Sequence, residues 1–423
     1  MIKPFPFQEE GIDRLVDVLS SKQSALEASS TGYGKTFVSL FVAQRLGRTP
    51  AVLCPKSAIP VWQDASERMG IPLQFVTNYE QAKLKKFKHG GWKRKNQVYQ
   101  WELPDQSLLI FDECHRLKNP KSQLSKLGVA VGNHNFKSLW LSATAAASPL
   151  DMFALGVALG IYSERREFLW WCAKYGVKEG NWGLFFDNTE PEHMLNLHHL
   201  LFPKYGHRKS VSDIPNFPEN QIQTIQVVGK NTPRVKAYLD LLAETKLHDE
   251  PLPIVDLLRA RQEAEALKVP SMIEQAKDLL LEGYSVAFFL CFKESFGMIV
   301  DDLSKHGAGV SRVYGGQSDR ASEVEDFQSN KNHAIVCQIK AGGESINLHD
   351  LHGRPRVSLI SPSYSAEELI QALGRIRRAG SQSKSIQKIF FCKGTVEERV
   401  RRSVQNKIDN IELLNDGDTN PFL

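Results

Sequence analysis

Short apolar runs alternate with amphipathic stretches through most of the chain. In the first half this pattern predicts strands with helices between them, such as those at 35–46 and 57–69. The expected strands are 24–28, 50–54, 73–76, 107–111 and 138–141. Strands that alternate with helices are typical of parallel sheets covered by helices.

The same alternation returns in the last third of the chain. Strands are expected there at 285–292, 309–313, 334–338, 357–360 and 386–391. A helical, charged stretch, 230–282, lies between the two halves and follows the Pro-containing segment SDIPNFPEN. The pattern therefore predicts an α/β protein with one domain at 1–225, a helical linker at 226–275 and a second domain at 276–423.

Composition leaves the fold prediction unchanged and argues against a membrane-spanning or secreted protein. The 423 residues are 42% hydrophobic and 24% charged, as in an ordinary globular protein. The longest apolar runs are strand-length, and the first residues, MIKPFPFQEEG, lack an apolar signal region. We therefore expect no membrane partner and a cytoplasmic location. Six scattered cysteines without a CxxC pair indicate buried, reduced thiols. The net charge of +5 is compatible with a nucleic-acid partner but does not require one.

The stretch EASSTGYGKT, residues 27–36, follows a predicted strand and opens a predicted helix. Gly32 and Gly34 would let backbone N–H groups face phosphate oxygens, Lys35 would reach the β- and γ-phosphates, and the Thr36 hydroxyl would bind Mg²⁺. Ser29 stands where the general phosphate-loop pattern has glycine, so the match is partial. The predicted nucleotide-binding residues in this loop are Thr31, Gly32, Tyr33, Gly34, Lys35 and Thr36.

The stretch FDECHRLKN places two adjacent carboxylates at the end of an apolar strand. Adjacent buried acids repel each other unless a cation compensates them. Transfer of a phosphoryl group from ATP needs a divalent cation and a positioned water. Asp112 is therefore predicted to bind Mg²⁺, and Glu113 to orient and deprotonate the attacking water.

With these motifs in this order, the chain resembles the superfamily-two helicases and translocases, which implies two tandem RecA-like P-loop domains. PFPFQEEGIDRL resembles their glutamine motif, so Gln8 would read the adenine edge. DECH and LSAT resemble the motifs that couple the nucleotide site to nucleic acid and link the lobes. The resemblance implies coupling roles for His115, Ser142 and Thr144.

In the second domain, AGGESINL and QALGRIRR resemble the last two motifs of that superfamily. The resemblance implies that Gln371, Arg375 and Arg378 serve ATP hydrolysis. Two arginines one helical turn apart would share a face, and their guanidinium groups suit the charge that develops on the γ-phosphate.

Within the superfamily, DECHRLKN, VWQDA and KGTVEERVRRSVQNK resemble the Swi/Snf-like duplex-DNA translocases. The segment that begins RARQEAEALKVPSM is most similar to the annealing-helicase subgroup. The chain departs from that branch in SSTGYGKT, in LSATAAAS and in GRIRRAGSQ, and it lacks room for the large insertions of chromatin remodellers. A compact viral or bacterial translocase on duplex or branched DNA is the resulting expectation, with RNA as the alternative partner.

Two sets of residues are candidates for nucleic-acid contact. The resemblance implies backbone contacts from Lys56, Ser57, Gly342, Gly343 and Ser345. The acid-free stretch QAKLKKFKHGGWKRKNQVYQW carries seven basic residues, among them Lys93 and Arg94, and Gly90-Gly91 suggests a loop or a hairpin tip. A solvated insertion explains the same stretch equally well, and Trp92 as a wedge between strands rests on weak support.

Two other functions remain open from the sequence. One is an RNA helicase or RNA-stimulated ATPase of the same superfamily, which would read A-form or single-stranded RNA. The other is a non-enzymatic binding protein with a degenerate nucleotide site. The presence of Lys35, Glu113, Arg375 and Arg378 argues against the second.

Overall fold

The computed structural model describes residues 2–84, 86–93, 98–181, 183–228, 254–342 and 346–417. They divide into two compact units, one formed by 2–215 with 407–417 and the other by 216–406. Each unit contains one six-stranded sheet in which every pairing is parallel. The predicted α/β class with parallel sheets is confirmed.

The first unit begins with a helix and continues with strand–helix alternation, interrupted by two small antiparallel hairpins, one of Gly90–Lys93 with Val98–Trp101 and one of Val177–Gly180 with Gly183–Phe186. Its elements are α1 (Pro6–Ser21), β1 (Ser24–Glu27), α2 (Lys35–Arg45), β2 (Thr49–Cys54), α3 (Ile59–Met69), β3 (Phe75–Asn78), α4 (Tyr79–Ala82), β4 (Gly90–Lys93), β5 (Val98–Trp101), β6 (Ser107–Asp112), α5 (Gln123–Val129), β7 (Lys137–Leu141), α6 (Phe153–Ala158), α7 (Arg165–Lys174), β8 (Val177–Gly180), β9 (Gly183–Phe186), α8 (Glu192–Leu201) and β10 (Gly206–His207).

The order of strands in the first sheet is β10-β1-β7-β6-β2-β3. Leu141 at the end of β7 pairs with Glu27 on one side and with Asp112 on the other. Because parallel strands present their carboxyl ends at one edge, the loops that follow these three residues start side by side. Leu109, Phe111 and Trp140 are fully buried beneath that edge.

The second unit repeats the alternation without hairpins in its described part. Its elements are β11 (Asn220–Val228), α9 (Ile254–Leu281), β12 (Ser285–Leu290), α10 (Lys293–Lys305), β13 (Val310–Val313), α11 (Arg320–Gln328), β14 (Ala334–Gln338), α12 (Ile339–Gly342), β15 (Arg356–Ile360), α13 (Ala366–Leu373), β16 (Ser385–Lys393) and α14 (Glu397–Asp416). The strand order is β11-β16-β15-β12-β14-β13, over a core of mainly aliphatic and phenylalanine side chains.

The unit boundaries differ from the expected ones in three places. The sequence pattern assigns residues 220–225 to the first domain, but β11 pairs along its whole length with β16 of the second sheet. The expected linker, 226–275, includes the start of α9, whose Val269 and Met272 are buried in the second core; residues 229–253 lie outside the described part. Residues 407–417 belong with the first unit. The prediction missed these assignments because they depend on pairing between segments distant in sequence.

No helix in the described part of the chain is long and apolar enough to cross a membrane. All six cysteines are free thiols, and five of them are buried.

Candidate nucleotide site

The loop between β1 and α2 has the strand–loop–helix form that the sequence predicted. Gly32 and Gly34 have positive φ angles of 86° and 90°, and Gly34 is the residue that precedes the helix. Positive φ is strained for residues with a Cβ, so glycine suits both positions. The Lys35 ammonium donates to the carbonyls of Ser29 at 2.7 Å and Ser30 at 3.2 Å. The ammonium thus lies inside the loop that would surround a phosphate.

Gln8 lies against this loop, as its predicted contact with the nucleotide requires. The side chain is 3% exposed, and its Nε2 donates to the Tyr33 carbonyl at 2.8 Å. A Cβ at Gly34 would lie only 2.7 Å from the same nitrogen. Gly34 is therefore needed for close packing as well as for its φ angle.

Ser29 replaces the glycine of the general pattern without opening the loop. It is fully buried, and its Oγ accepts from the Lys209 backbone N–H at 3.0 Å and lies 3.3 Å from His207 Nδ1. The fully buried Glu27 carboxylate accepts from the Ser29 N–H at 2.8 Å and lies 3.0 Å from His207 Nδ1. Residues of the edge strand therefore support the first half of the loop. Sequence reasoning missed this support because Ser29 and His207 are about 180 residues apart.

Asp112 is the last residue of β6, and Glu113 follows it, at the same edge of the sheet. Trp62 Nε1 donates to Asp112 Oδ2 at 2.9 Å, and the Tyr79 hydroxyl donates to the Asp112 carbonyl at 2.6 Å. Burial and the Glu113 carboxylate raise the pKa of Asp112 to about 6, although Trp62 and Lys35 act in the opposite direction. Burial lowers the pKa of Lys35, although Glu113 raises it. VWQDA resembles a family motif, but nothing local in it identifies Trp62 as the partner of Asp112.

The donor set fits a bound magnesium nucleotide. Asp112 is a carboxylate whose charge is disfavoured by burial and by its neighbour, and a divalent cation would offset both effects. Mg²⁺ prefers carboxylate and hydroxyl oxygens, and the Thr36 hydroxyl sits in the first turn of α2. Asp112 and Thr36 would hold the ion, and Lys35 the phosphates.

A chain of polar side chains leads from Glu113 to the loop after β7. His115 Nδ1 lies 3.3 Å from Glu113 Oε2 and 3.1 Å from Ser142 Oγ. Ser142 Oγ in turn accepts from the Thr144 backbone N–H at 3.1 Å. Glu113 itself has a positive φ of 55°, which is unusual for a residue with a side chain. The structure thus brings together the residues predicted to couple hydrolysis to movement.

The second unit places its predicted residues differently from expectation. The α-helix α13 ends at Leu373, so Arg375 and Arg378 lie in the turn that follows it, and the helical-face argument is wrong. Gly374 ends the helix, yet both guanidinium groups still reach the Ile346 carbonyl, at 3.1 Å from Arg375 and 3.5 Å from Arg378. Gln371 and Arg375 are 6% and 4% exposed. Arg375 therefore also connects two segments within its own unit.

The candidate nucleic-acid contacts are spread over several elements. Lys56 is exposed and Ser57 half-buried in a short 3₁₀ turn after β2, and Lys93 is exposed at the end of β4. Gly342 is buried, and a Cβ there would lie 2.5 Å from that of Cys337. Gly343, Ser345 and Arg94 lie outside the described residues.

The basic stretch is a hairpin, but its glycines are not at the tip. Gly90 pairs with Trp101 inside β4, and a Cβ at Gly90 would lie 2.6 Å from the Tyr99 hydroxyl oxygen. Gly90 is therefore explained by packing of an aromatic ring. Trp92 packs against Tyr99, with ring centroids 5.1 Å apart, and its Nε1 donates to the Lys83 carbonyl at 2.8 Å. This packing contradicts a role for Trp92 as a wedge.

Comparisons with known proteins agree with this geometry. The family described as helicase conserved C-terminal domain matches residues 271–380. A putative ATP-dependent RNA helicase of Acanthamoeba polyphaga mimivirus is 29% identical over 98% of this chain and 84% of its own length. The SWI/SNF-related matrix-associated actin-dependent regulator of chromatin subfamily A-like protein 1 of Xenopus tropicalis is 25% identical over 95% of this chain. This chain spans only 44% of that Xenopus protein.

Among solved structures, S. cerevisiae Dbp5 bound to RNA and ADP BeF3 matches 96% of this chain and 88% of its own, with a TM-score of 0.56 and 12% identity. At that identity the likeness concerns the fold, and it agrees with two RecA-like units. The relatives and the phosphate loop both argue against a purely non-enzymatic binding protein. The chain is thus similar along nearly its whole length to a viral helicase and to a SWI/SNF-related protein, and these relatives together with the helicase C-terminal match indicate an ATP-hydrolysing enzyme.

Proposed function

We propose that the protein is an ATP-dependent translocase that moves along duplex or branched DNA. The observation that carries the proposal is the polar chain from Glu113 through His115 to Ser142 and Thr144. This chain joins the residue that would activate water to the loop whose family counterpart links hydrolysis to nucleic acid. A protein that only bound nucleotide would need no such connection.

The residues of the site have separate roles in hydrolysis. Lys35 would bind the β- and γ-phosphates, and Asp112 and Thr36 would hold a magnesium ion, which would neutralise charge on the phosphates. Glu113 orients a water and takes its proton, and the 3.3 Å contact with His115 restricts where that carboxylate can point. Arg378 would stabilise the negative charge that develops on the γ-phosphate, a role implied by the sequence resemblance.

DNA is the favoured partner because the name of the Xenopus relative refers to chromatin and because the exposed lysines in and just before the β4–β5 hairpin suit a phosphate backbone. The second candidate is an RNA-dependent ATPase. One specific finding favours it, since the relative that covers 98% of this chain is named as an RNA helicase.

ATP turnover by the full chain distinguishes the two. Turnover is measured alone and with duplex DNA, forked DNA, single-stranded DNA and duplex RNA, all at the same ionic strength. We expect duplex or forked DNA to stimulate turnover at least about tenfold more than RNA, because A-form RNA presents a different groove geometry. Glu113→Gln serves as the control without hydrolysis.

Displacement of a third strand from a DNA triplex then reports movement along the duplex. Greatest stimulation by RNA would favour the RNA candidate. Stimulation by DNA without triplex displacement would refute translocation while leaving the ATPase in place.

A further inference from the structure

The last helix, α14, is continuous from Glu397 to Asp416, but its two ends belong to different units. Near its start, Glu397 Oε1 accepts from the fully buried Lys268 Nζ at 2.5 Å, and its Oε2 accepts from the Cys392 N–H at 2.7 Å. A buried charge pair of this kind fixes geometry because neither partner can leave without stranding the other. The start of the helix is therefore held firmly in the second unit.

The end of α14 is part of the first core. Leu414 is 1% exposed and packs in the same cluster as Met194 and Leu197 of α8. The Leu414 carbonyl accepts from His198 Nδ1 at 2.9 Å. We call residues Leu414, Asn415 and Asp416 the closing turn.

Asn415 contacts one of the two loops of the nucleotide site. The side chain is 2% exposed, and its Nδ2 donates to the Ala143 carbonyl at 2.8 Å. Ala143 lies between Ser142 and Thr144 of the coupling chain. Asn415 Oδ1 is buried with no hydrogen-bond partner among the described residues. Burying an unpaired amide oxygen costs stability, so an apolar side chain would serve packing alone better.

Asp416 reaches the other loop through Arg208. Its two carboxylate oxygens accept from Arg208 Nε and Nη2, each at 2.8 Å. Arg208 Nη1 donates to the Ala28 carbonyl at 2.5 Å, directly before Ser29, whose own carbonyl accepts from Lys35. The guanidinium fork lets one side chain hold the carboxylate and the loop at once.

We propose that Arg208, Asn415 and Asp416 are positioning residues for ATP hydrolysis, through which the closing turn fixes the phosphate loop and the loop after β7 together. The proposal rests on the nucleotide site described above. Asn415 holds the loop after β7 directly, and Asp416 holds the phosphate loop through Arg208. Loss of the closing turn would leave both loops in place but less exactly oriented, and small misplacements of reacting groups are expensive in rate.

The test uses Asn415→Leu in the full chain, with Asn406→Leu as the matched control at an exposed position of the same helix. We expect Asn415→Leu to change the melting temperature little, because it removes one unpaired buried oxygen and leaves another, the Ala143 carbonyl, without its donor. Its kcat for ATP should fall at least about tenfold, while KM changes less than about threefold. A role in packing alone would instead leave kcat unchanged.

A second pair of variants keeps the proposal testable if Asn415→Leu is unstable. Asp416→Asn removes the charge that orients Arg208, whereas Asp416→Glu retains it and should recover most of the missing kcat. Normal kcat in Asn415→Leu or in Asp416→Asn, measured beside an inactive Glu113→Gln, would overturn the inference and leave the ATPase assignment intact. A wild-type chain that hydrolyses no ATP would instead overturn the proposed function.

Discussion

Two strand-to-helix turns, one in each unit, differ in what lies beside the N–H groups where the helix begins. In the first unit, β1 leads through a seven-residue loop to α2, whose start at Gly34 has no side-chain cap. In the second, β12 leads through only Cys291 and Phe292 to α10. There the N–H groups of Cys291 and Phe292 donate to the two oxygens of Glu265, both at 2.9 Å, and Glu265 is 1% exposed.

The difference shows how the same strand–turn–helix arrangement can form a candidate nucleotide site in one unit and a purely structural turn in the other. A helix N-terminus attracts negative charge because its first N–H groups lack partners. In the second unit a carboxylate from α9 supplies that charge permanently. In the first unit no side chain caps α2, the proposed nucleotide site assigns that place to a phosphate, and Lys35 bonds to carbonyls of its own loop. The comparison predicts that damage to the first turn changes turnover, whereas damage to the second changes stability.

The largest effect is expected from Glu113→Gln. The amide cannot accept the proton of the attacking water, so turnover should fall by about three orders of magnitude while ATP binding remains. The matched control is Glu265→Gln, which keeps one acceptor oxygen in the second unit and should retain turnover. The measurements are steady-state hydrolysis and nucleotide affinity. An equal fall in turnover in both variants would break the comparison.

Lys268→Met should have the next largest effect, and on stability. It leaves the 3%-exposed Glu397 carboxylate without its buried cation, which should cost about 3 kcal/mol or more of unfolding free energy. Denaturant unfolding followed by a probe in the second unit measures this destabilisation. The double variant Lys268→Met with Glu397→Gln should recover part of it, since no buried charge is then left alone. Additive destabilisation would contradict that explanation.

Glu265→Ala tests whether the second turn is a phosphate-type site that the protein fills itself. Two partly buried N–H groups lose their acceptor, which should destabilise the protein by about 1–3 kcal/mol. Inorganic phosphate in the millimolar range should then raise the melting temperature of the variant more than that of wild type. Equal responses of both proteins would mean that the turn has no affinity for anions once the carboxylate is removed.

The smallest effect, on DNA affinity, is expected from the basic residues in and just before the β4–β5 hairpin. Replacing the exposed residues Lys86, Lys88 and Lys93 with Ser should lower the slope of log DNA affinity against log salt by about 0.9 for each lysine that binds a phosphate. Hydrolysis without DNA should be unchanged. The control removes the same charge elsewhere, at Lys174, Lys204 and Lys305, all exposed. Identical slopes for both triple variants would identify the hairpin as a solvated insertion.

Much of the fold is predictable because the strands and helices follow from the local periodicity of apolar residues. The strand at 334–338 is predicted without error, and most others within one or two residues, because buried parallel strands are short continuous apolar runs. The phosphate loop is predictable for a similar reason, since Gly32, Gly34, Lys35 and Thr36 lie close together in sequence.

The rest depends on contacts that no local pattern records. Gly90-Gly91 suggests a turn, but the space above Gly90 is needed by Tyr99. QALGRIRR suggests a helix through both arginines, but α13 ends before them. Glu265 and Asn415 look like ordinary polar residues of amphipathic helices. Their importance comes from partners 26 and 272 residues away.

The closing turn also has a consequence for folding during synthesis on the ribosome. Roughly 190 residues of the second unit separate the two pieces of the first. At about 5–20 residues per second, a ribosome needs about 10 to 40 s to synthesise them. During that interval the first core lacks Leu414, and the apolar surface around Met194 and Leu197 is without its last neighbour. The half of the protein that is made first is therefore the half that finishes folding last.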